Sequence, residues 1–185
     1  MIGGDTGEAS DIIVAVSLYG SATKSKLMLR NGAKPGDVVG VTGPFGKPAA
    51  GLQLLRRRFD VANDLREALL DSVFMPRARL TEGLALSASG TVTSSIDSSD
   101  GLAWSLHELC RMSGVGFVID HVPVAAEATH FAEIFGFDAL DLACHGGEEY
   151  ELIVTVNPGL WGEAEKSVEV IGGHLLRVGR VTSEK

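Results

Sequence analysis

The stretch Thr91-Val92-Thr93-Ser94-Ser95-Ile96-Asp97-Ser98-Ser99-Asp100-Gly101-Leu102 decides the fold prediction, because it reads as a strand that passes through a loop into a helix. Residues 91–96 are rich in β-branched side chains, which favour a strand. After the loop, apolar residues recur at helical spacing up to Gly114, a residue type that commonly ends a helix. Asp97 and Asp100 are therefore predicted to lie at a strand-to-helix junction.

This junction has the composition of a site for a metal-bound anion. Asp97 and Asp100 can face one cation, while the unpaired amides of the first helical turn can bind an anion. We expect Ser98 or Ser99 to cap the helix. Oxygen ligands beside amide donors suit a magnesium-bound polyphosphate. Asp and Ser are also ordinary capping residues, so the hexapeptide alone leaves a purely structural role open.

Composition narrows the class of protein. The 185 residues are 45% hydrophobic, which is enough for a real core, and the formal net charge of -8 argues against a general nucleic-acid or membrane-surface binder. No apolar segment has the length of a membrane span, and the first residues lack the pattern of a secretory signal. Cys110 and Cys144 are far apart in the sequence, so neither a disulfide nor a zinc site is predicted. We expect a cytoplasmic protein.

The remaining pattern alternates strands and helices. Besides the central junction, we predict strands at residues 12–18, 38–43, 116–119, 150–156 and 174–181. Helices are predicted at residues 48–59, 61–73, 125–135, 138–144 and 160–170. The turn-rich residues 31–37 indicate a domain boundary near Pro35. This order predicts a layered α/β or α+β domain with helices on the faces of a sheet.

Three loops rich in glycine or acidic residues each adjoin a predicted strand. They are Gly3-Gly4-Asp5-Thr6, the central junction, and Gly146-Gly147-Glu148-Glu149-Tyr150-Glu151-Leu152. Paired glycines let the backbone approach a ligand closely, and an acid directly after them can hold a metal or a cationic group. Each loop taken alone also describes an ordinary turn.

The order of these loops, with residues 29–37 and 41–43 between the first two, resembles the thiamine-monophosphate kinases of the AIR-synthase-like (PurM-like) ATP-binding superfamily. The match covers nearly the whole chain, and Met75-Pro76-Arg77 also looks like the family's pattern. The resemblance implies an α+β fold. Residues 35–185 would form a PurM C-terminal-domain-like mixed sheet covered by helices. Residues 1–34 would be a remnant of the N-terminal ATP-binding domain and contribute one strand.

The resemblance also implies a function, the ATP-dependent phosphorylation of thiamine monophosphate to thiamine diphosphate, with Mg²⁺ as cofactor and ATP as co-substrate. The residue roles that it implies are nucleotide binding by Gly4, Asp5, Arg30 and Ser99, metal binding by Asp5, Asp97 and Asp100, and substrate binding by Glu148. Glu149 stands where the family usually has Asp. No catalytic side chain is assigned, because the acceptor phosphate is already anionic and positioning must do most of the work.

Both ends depart from the family's pattern. Family members carry an N-terminal domain with further metal-binding aspartates and a C-terminal aromatic segment, whereas here the first glycine pair begins at residue 3. We therefore expect a truncated form with impaired activity. The strand at residues 12–18 would lack its neighbours, which predicts a homodimer or a strand-exchanged oligomer.

Two other readings stay open. The chain could be a non-catalytic remnant that binds a nucleotide or a partner, or another PurM-like enzyme: AIR synthase, selenophosphate synthetase or the hydrogenase maturation dehydratase. The reactive cysteines of the latter two are not visible here. Of the remaining polar and aromatic residues, we expect Trp104 and Cys110 to pack in the core, and His145 is a candidate for lining the substrate pocket.

Overall fold

A computed structural model of the chain describes residue 10 and residues 16–184. In this part of the chain, five strands form one sheet in the order β2-β4-β1-β5-β3. The strands are β1 (Val38–Val41), β2 (Val92–Asp97), β3 (Gly116–Ile119), β4 (Leu152–Val156) and β5 (Leu176–Thr182). All four neighbouring pairs are antiparallel. The end of β2 lies beside the start of β4, where Asp97 is paired with Leu152.

Seven α-helices lie within the described residues. They are α1 (Lys47–Arg57), α2 (Asn63–Phe74), α3 (Leu80–Ser89), α4 (Leu102–Ser113), α5 (Ala126–Phe135), α6 (Ala139–His145) and α7 (Trp161–Glu169). Short 3-10 turns occur at Lys24–Lys26 and Pro158–Leu160. The layered α+β class expected from the sequence is confirmed.

The core is divided by the sheet, because alternate strand residues point to opposite faces. One face packs against α4, and this cluster includes the strand residues Val39, Val41, Ile153 and Val178 with Leu109 of the helix. The opposite face packs against α3 and α7 through Leu86, Val154, Val156, Ala164 and Val168. Beside the sheet, α1, α2, α5 and α6 share a third apolar cluster around Leu54, Leu69 and Phe131. The sheet is therefore covered on both faces.

The sequence did not predict helix α3. Its buried residues are Glu82 and Leu86, whereas Leu80 and Leu84 are both 73% exposed. The apolar side chains of this helix therefore do not form one stripe, and the helical periodicity that identified the other helices is missing. Helix α3 nevertheless covers one face of the sheet with α7.

The predicted strand at residues 12–18 does not extend to its expected end. Residues 16–18 lie in no strand, and Val16 and Leu18 are exposed. Residues 12–15 lie outside the described part of the chain. A strand needs a neighbour for its backbone hydrogen bonds, and no described strand pairs with residues 16–18. The division of the chain at residue 35 stays a prediction.

Two packing predictions for α4 need correction or refinement. Trp104 is 55% exposed and its ring lies 5.8 Å from that of His107, so the prediction that it packs in the core is wrong. The reason is helical geometry, because Leu102 is buried and a residue two positions later points about 200° away. Cys110 is half-buried and its thiol donates to the carbonyl of Val115. Cys110 and Cys144 are both free thiols.

Candidate functional site

The strand-to-helix junction is held against the loop that precedes β4. Ser98 is buried, and its hydroxyl donates to the carbonyl oxygen of Glu149 at 3.2 Å. The residue that caps α4 is Gly101, which makes no side-chain capping bond. The prediction that Ser98 or Ser99 caps this helix is therefore wrong, because the Ser98 hydroxyl is used to fix the neighbouring loop.

Gly101 allows the two loops to approach closely. Its φ of +94° is in the left-handed region, and a Cβ atom placed on it would lie 2.7 Å from the carbonyl oxygen of Gly146. Both observations require glycine, since other residues rarely adopt this backbone conformation and the added atom would clash. In the sequence, only the glycine itself, between the predicted metal ligand Asp100 and the helix, indicated this contact.

We call residues 146–151 the acid loop, and its first acid has a strained backbone. Glu148 has a positive φ of +63°. Among the described non-glycine residues, only Arg58 also has a positive φ. Its N–H donates to the carbonyl oxygen of Ser99 at 2.8 Å. Backbone strain of this kind persists where surrounding contacts fix it, and it is concentrated at functional sites. The exposed carboxylate of Glu148 is thus presented by a backbone that the junction holds in place.

Glu149 points inward and joins the acid loop to the start of α1. Its side chain is 7% exposed, and one carboxyl oxygen accepts a hydrogen bond from the N–H of Gly46, a helix N-terminus without a side-chain cap of its own. The other oxygen, Oε2, has no hydrogen-bond partner. Burial raises the pKa of this carboxyl to about 8, against the opposing effect of the Gly46 N–H. Glu149 is therefore largely protonated at neutral pH.

Glu151 anchors the end of the acid loop through a two-point ion pair. Arg79, at the start of α3, reaches its carboxylate with Nε and Nη2 at 2.8 and 2.7 Å. The hydroxyl of Thr42 donates to the same carboxylate at 2.6 Å. The Glu151 carboxylate also raises the pKa of Arg79. This paired geometry is rigid and leaves Arg79 little freedom to bind anything else.

A cavity of about 410 Å³ opens between the acid loop, the start of α1 and the connection from α2 to α3. Its wall combines apolar or ring-bearing side chains with charged ones, and includes Pro44, Pro48, Met75, Pro76, Arg77, Glu148 and Tyr150. The volume and the mixture of apolar surface with a few polar groups are typical of a small-molecule site. The sequence did not predict this cavity, because its walls come from segments far apart in the chain.

The structure brings four of the predicted site residues to one region. Asp97 and Ser99 are half-buried at the junction, and Asp100 is exposed beside them. Glu148 is joined to the junction by the hydrogen bond from its N–H to the carbonyl oxygen of Ser99. The hydroxyl of Tyr150 donates to Glu148 at 3.3 Å, and the negative charges of Glu148 and, to a smaller extent, Asp97 raise the pKa of Tyr150. The predicted metal ligands Asp97 and Asp100 and the predicted substrate-binding residue Glu148 are therefore neighbours in the fold.

Other predicted site residues lie elsewhere. Arg30 is exposed at the far end of α4, where its carbonyl accepts a hydrogen bond from Ser113. The 12-residue helix, about 18 Å long, separates that end from the end near Asp100. His145 does not line the cavity, and instead its exposed ring contacts Asp141 one helical turn away at 2.8 Å. The predicted nucleotide residues Gly4 and Asp5 fall outside the described residues.

The carboxylates of Asp97 and Asp100 are donors of the type that magnesium takes together with phosphate oxygens. Within residues 16–184, no three His, Cys, Asp or Glu side chains converge as a metal site. Asp97 and Asp100 therefore offer a pair of carboxylates and not a complete protein cage. Magnesium in nucleotide sites is commonly bound by one or two carboxylates, with phosphate oxygens and water completing its octahedron. The donor set is of that type.

Comparison with known proteins places the chain in a family. Residues 34–185 match the model for AIR synthase related protein, C-terminal domain. The chain belongs to this family. No helix of this AIR-synthase-related chain is long and apolar enough to cross a membrane, as far as the described residues go.

Several of the similar proteins are thiamine-monophosphate kinases. The kinase of Nitrosopumilus maritimus is 34% identical over 185 residues, which is 100% of this chain and 57% of that relative. A solved thiamine-monophosphate kinase from Stenotrophomonas maltophilia has a TM-score of 0.78 at 27% identity, with coverage of 89% of this chain and 53% of that one. AaThiL complexed with AMPPCP and TMP has a TM-score of 0.73 at 29% identity, with 85% and 48% covered.

These comparisons confirm the resemblance that the order of the motifs predicted. The AIR-synthase-related chain spans about half the length of the curated relatives it matches. What the relatives catalyse is therefore carried over to this chain only as a proposal.

Proposed function

We propose that this chain supplies the junction and the acid loop of a thiamine-monophosphate kinase site. The reaction is transfer of the terminal phosphoryl group of ATP to thiamine monophosphate, which gives thiamine diphosphate. The observation that carries the proposal is the contact between the two acidic segments, in which the N–H of Glu148 donates to Ser99 at 2.8 Å beside a cavity of about 410 Å³. The similar solved structure with AMPPCP and TMP supports the same pair of ligands.

The residues of the site would act by positioning. The acceptor oxygen of a phosphate monoester is already anionic near neutral pH, so no side chain is needed to remove a proton from it. Glu148 presents an exposed carboxylate at the cavity, which attracts a cationic ring such as the thiazolium of thiamine. The first-turn amides of α4 and the half-buried Ser99 would bind phosphate oxygens.

Asp97 and Asp100 are the residues that would hold Mg²⁺. When bound, the ion neutralises phosphate charge and so lowers the repulsion between two anionic reactants. Because the described residues offer only this pair of acids, Asp5 with Gly4 is our candidate for completing the nucleotide side, and Arg30 for a nucleotide contact. We therefore expect weak or no turnover by the chain alone.

The test measures thiamine diphosphate after incubation of the chain with ATP, Mg²⁺ and thiamine monophosphate, alone and with the N-terminal half of the Nitrosopumilus kinase added in trans. The double variant Asp97→Asn, Asp100→Asn is compared with Asp120→Asn, an exposed acid that pairs with Arg180 at the other edge of the sheet. Product that is lost only in the double variant supports the proposal. Product formed equally by both variants, or by neither the chain nor the combination, contradicts it.

We also infer that the chain works in the cytoplasm as a homodimer or a strand-exchanged oligomer. The apolar side chains of Val16, Leu18 and Tyr19 are 77%, 93% and 91% exposed. Exposed apolar side chains of this kind favour association, because covering them removes apolar surface from water. The acidic composition and the lack of a predicted disulfide are consistent with a reducing compartment.

A further inference from the structure

The segment Met75-Pro76-Arg77 resembles a family motif, yet the proposed reaction gives it no role. In the structure it connects α2 to α3 and forms the wall of the cavity that faces the acid loop. Proline fixes its own φ and restricts the residue before it, so Met75 and Pro76 limit the backbone freedom of this connection. Arg77 thus projects from a constrained segment.

Arg77 differs from the other two cations that line the cavity. Arg79 is committed to Glu151 and also lies 3.2 Å from Glu82, and Lys47 lies 3.6 Å from Glu127. Arg77 is exposed and makes no hydrogen bond or ion pair with any residue in the described part of the chain. Asp71 lines the same cavity, but no ion pair joins it to Arg77. The guanidinium of Arg77 is therefore available to a ligand.

The acidic residues around the cavity differ in how available their carboxylates are to pair with a cation. The carboxylate of Glu151 is already satisfied by Arg79 and Thr42. Glu149 is buried with one oxygen lacking a partner, which is costly for an ionised carboxylate and favours the neutral acid. Glu148, in contrast, is exposed at the cavity, and within residues 16–184 its carboxylate is hydrogen-bonded only to the hydroxyl of Tyr150. The cavity consequently has the unpaired cation Arg77 and the exposed anion Glu148 on facing walls, and Asp71 is a further acid in its lining.

Such a cavity fits a ligand that carries both a cationic ring and an oxyanion. A guanidinium presents several N–H donors in one plane and pairs with phosphate through two hydrogen bonds, which gives it an advantage over a point charge. Between the two charged residues, Met75, Pro76 and Tyr150 supply surface for the uncharged part of such a ligand.

We propose that Arg77 binds the phosphate of the substrate while the cationic ring lies toward Glu148, so that Arg77 distinguishes thiamine monophosphate from thiamine. This inference rests on the proposed function, because it takes the substrate class from there. It makes Arg77 a specificity-determining residue on the substrate side. The predicted phosphate contact Arg30, in contrast, lies at the far end of α4.

The experiment is isothermal titration calorimetry of the 185-residue chain with thiamine monophosphate, thiamine and ATP, each in the presence of Mg²⁺. The variants are Arg77→Gln, Arg77→Lys and the control Arg111→Gln, which removes an exposed arginine paired with Glu108 on the outer face of α4. We expect Arg77→Gln to weaken thiamine monophosphate binding by roughly tenfold to a hundredfold, the usual effect of losing a charged hydrogen bond. Thiamine binding should stay within about twofold of the unsubstituted chain.

Arg77→Lys should give an intermediate loss, because it keeps the charge but not the paired hydrogen bonds. Unchanged binding of thiamine monophosphate by Arg77→Gln would overturn this inference and leave the proposed function standing. Equal losses for thiamine and its monophosphate would overturn it as well, since they indicate a distorted cavity. A loss confined to ATP would assign Arg77 to the nucleotide and refute the substrate contact. If the unsubstituted chain binds no thiamine monophosphate, the Arg77 inference fails, whereas the proposed function is decided separately by the turnover test with the N-terminal half added.

Discussion

Glu149 makes stability depend on pH in a direction that can be worked out in advance. The substitution Glu149→Gln keeps the shape of the side chain and an oxygen that accepts from the Gly46 N–H, but removes the titrating proton. In the folded protein, burial raises the pKa of the Glu149 carboxyl from 4.5 to about 8. The folded state therefore binds this proton more tightly than the unfolded state does. Stability is full below about pH 4.5 and falls as the pH rises toward 8.

The size of this effect follows from the same shift. One pKa unit corresponds to about 1.4 kcal/mol, so the full difference sets an upper limit of roughly 5 kcal/mol on the loss of unfolding free energy. Relaxation of the acid loop around the charged form would reduce it, and we expect about 2 to 4 kcal/mol between pH 5 and pH 8.5. The Gln variant should lack this decline, because its amide does not titrate.

Urea unfolding, followed by circular dichroism at several pH values between 5 and 8.5, measures this difference. All other titrating groups are shared by the two proteins, so the free energy of unfolding of the wild type minus that of Glu149→Gln isolates Glu149. The exposed Glu133→Gln on α5 serves as the control and should track the wild type at every pH. If the free energy of unfolding of the wild type minus that of Glu149→Gln stays constant across this range, the conclusion that Glu149 is buried and protonated is refuted.

Two further predictions concern the junction and the assembly. Gly101→Ala should lower the free energy of unfolding by about 2 to 4 kcal/mol, because it combines a φ of +94° with a clash against Gly146. The control Gly90→Ala has a φ of +71° but open space around it, and should cost only about 1 kcal/mol in the same urea titration. Equal costs would mean that the contact between the loops is unimportant. Size-exclusion chromatography with light scattering should give twice the mass of 19.4 kDa, whereas a monomer at all concentrations would contradict the predicted oligomer.

Local signals explain what the sequence could predict. The β-branched run before Asp97 and the helical spacing after it gave β2 and α4 almost at their observed bounds. Gly114 ends α4 in the left-handed conformation, as its position in the pattern indicated. These features depend on residues close together in the chain, which is why a single sequence is sufficient for them.

Tertiary contacts explain what the sequence could not predict. Glu149 and Gly46 are 103 positions apart, and Arg79 and Glu151 are 72 positions apart. No local periodicity or spacing in the sequence therefore predicts either contact. The order of the glycine-rich and acidic motifs pointed to the family, but it could not show that Arg30 lies at the opposite end of α4 from Asp100. Distance along the chain therefore gave little guide to distance in the site.

The pairing of Asp97 with Leu152 limits how this site can change in evolution or by design. Because it aligns the end of β2 with the start of β4, it also sets how far Glu148 stands from the junction. Adding or removing one residue between Glu148 and Leu152 would either shift the acid away from the junction or slip the strand, and a slip of one residue turns every side chain to the opposite face. Ligand preference among proteins that share this pair of strands should therefore diverge by replacing side chains at constant loop length.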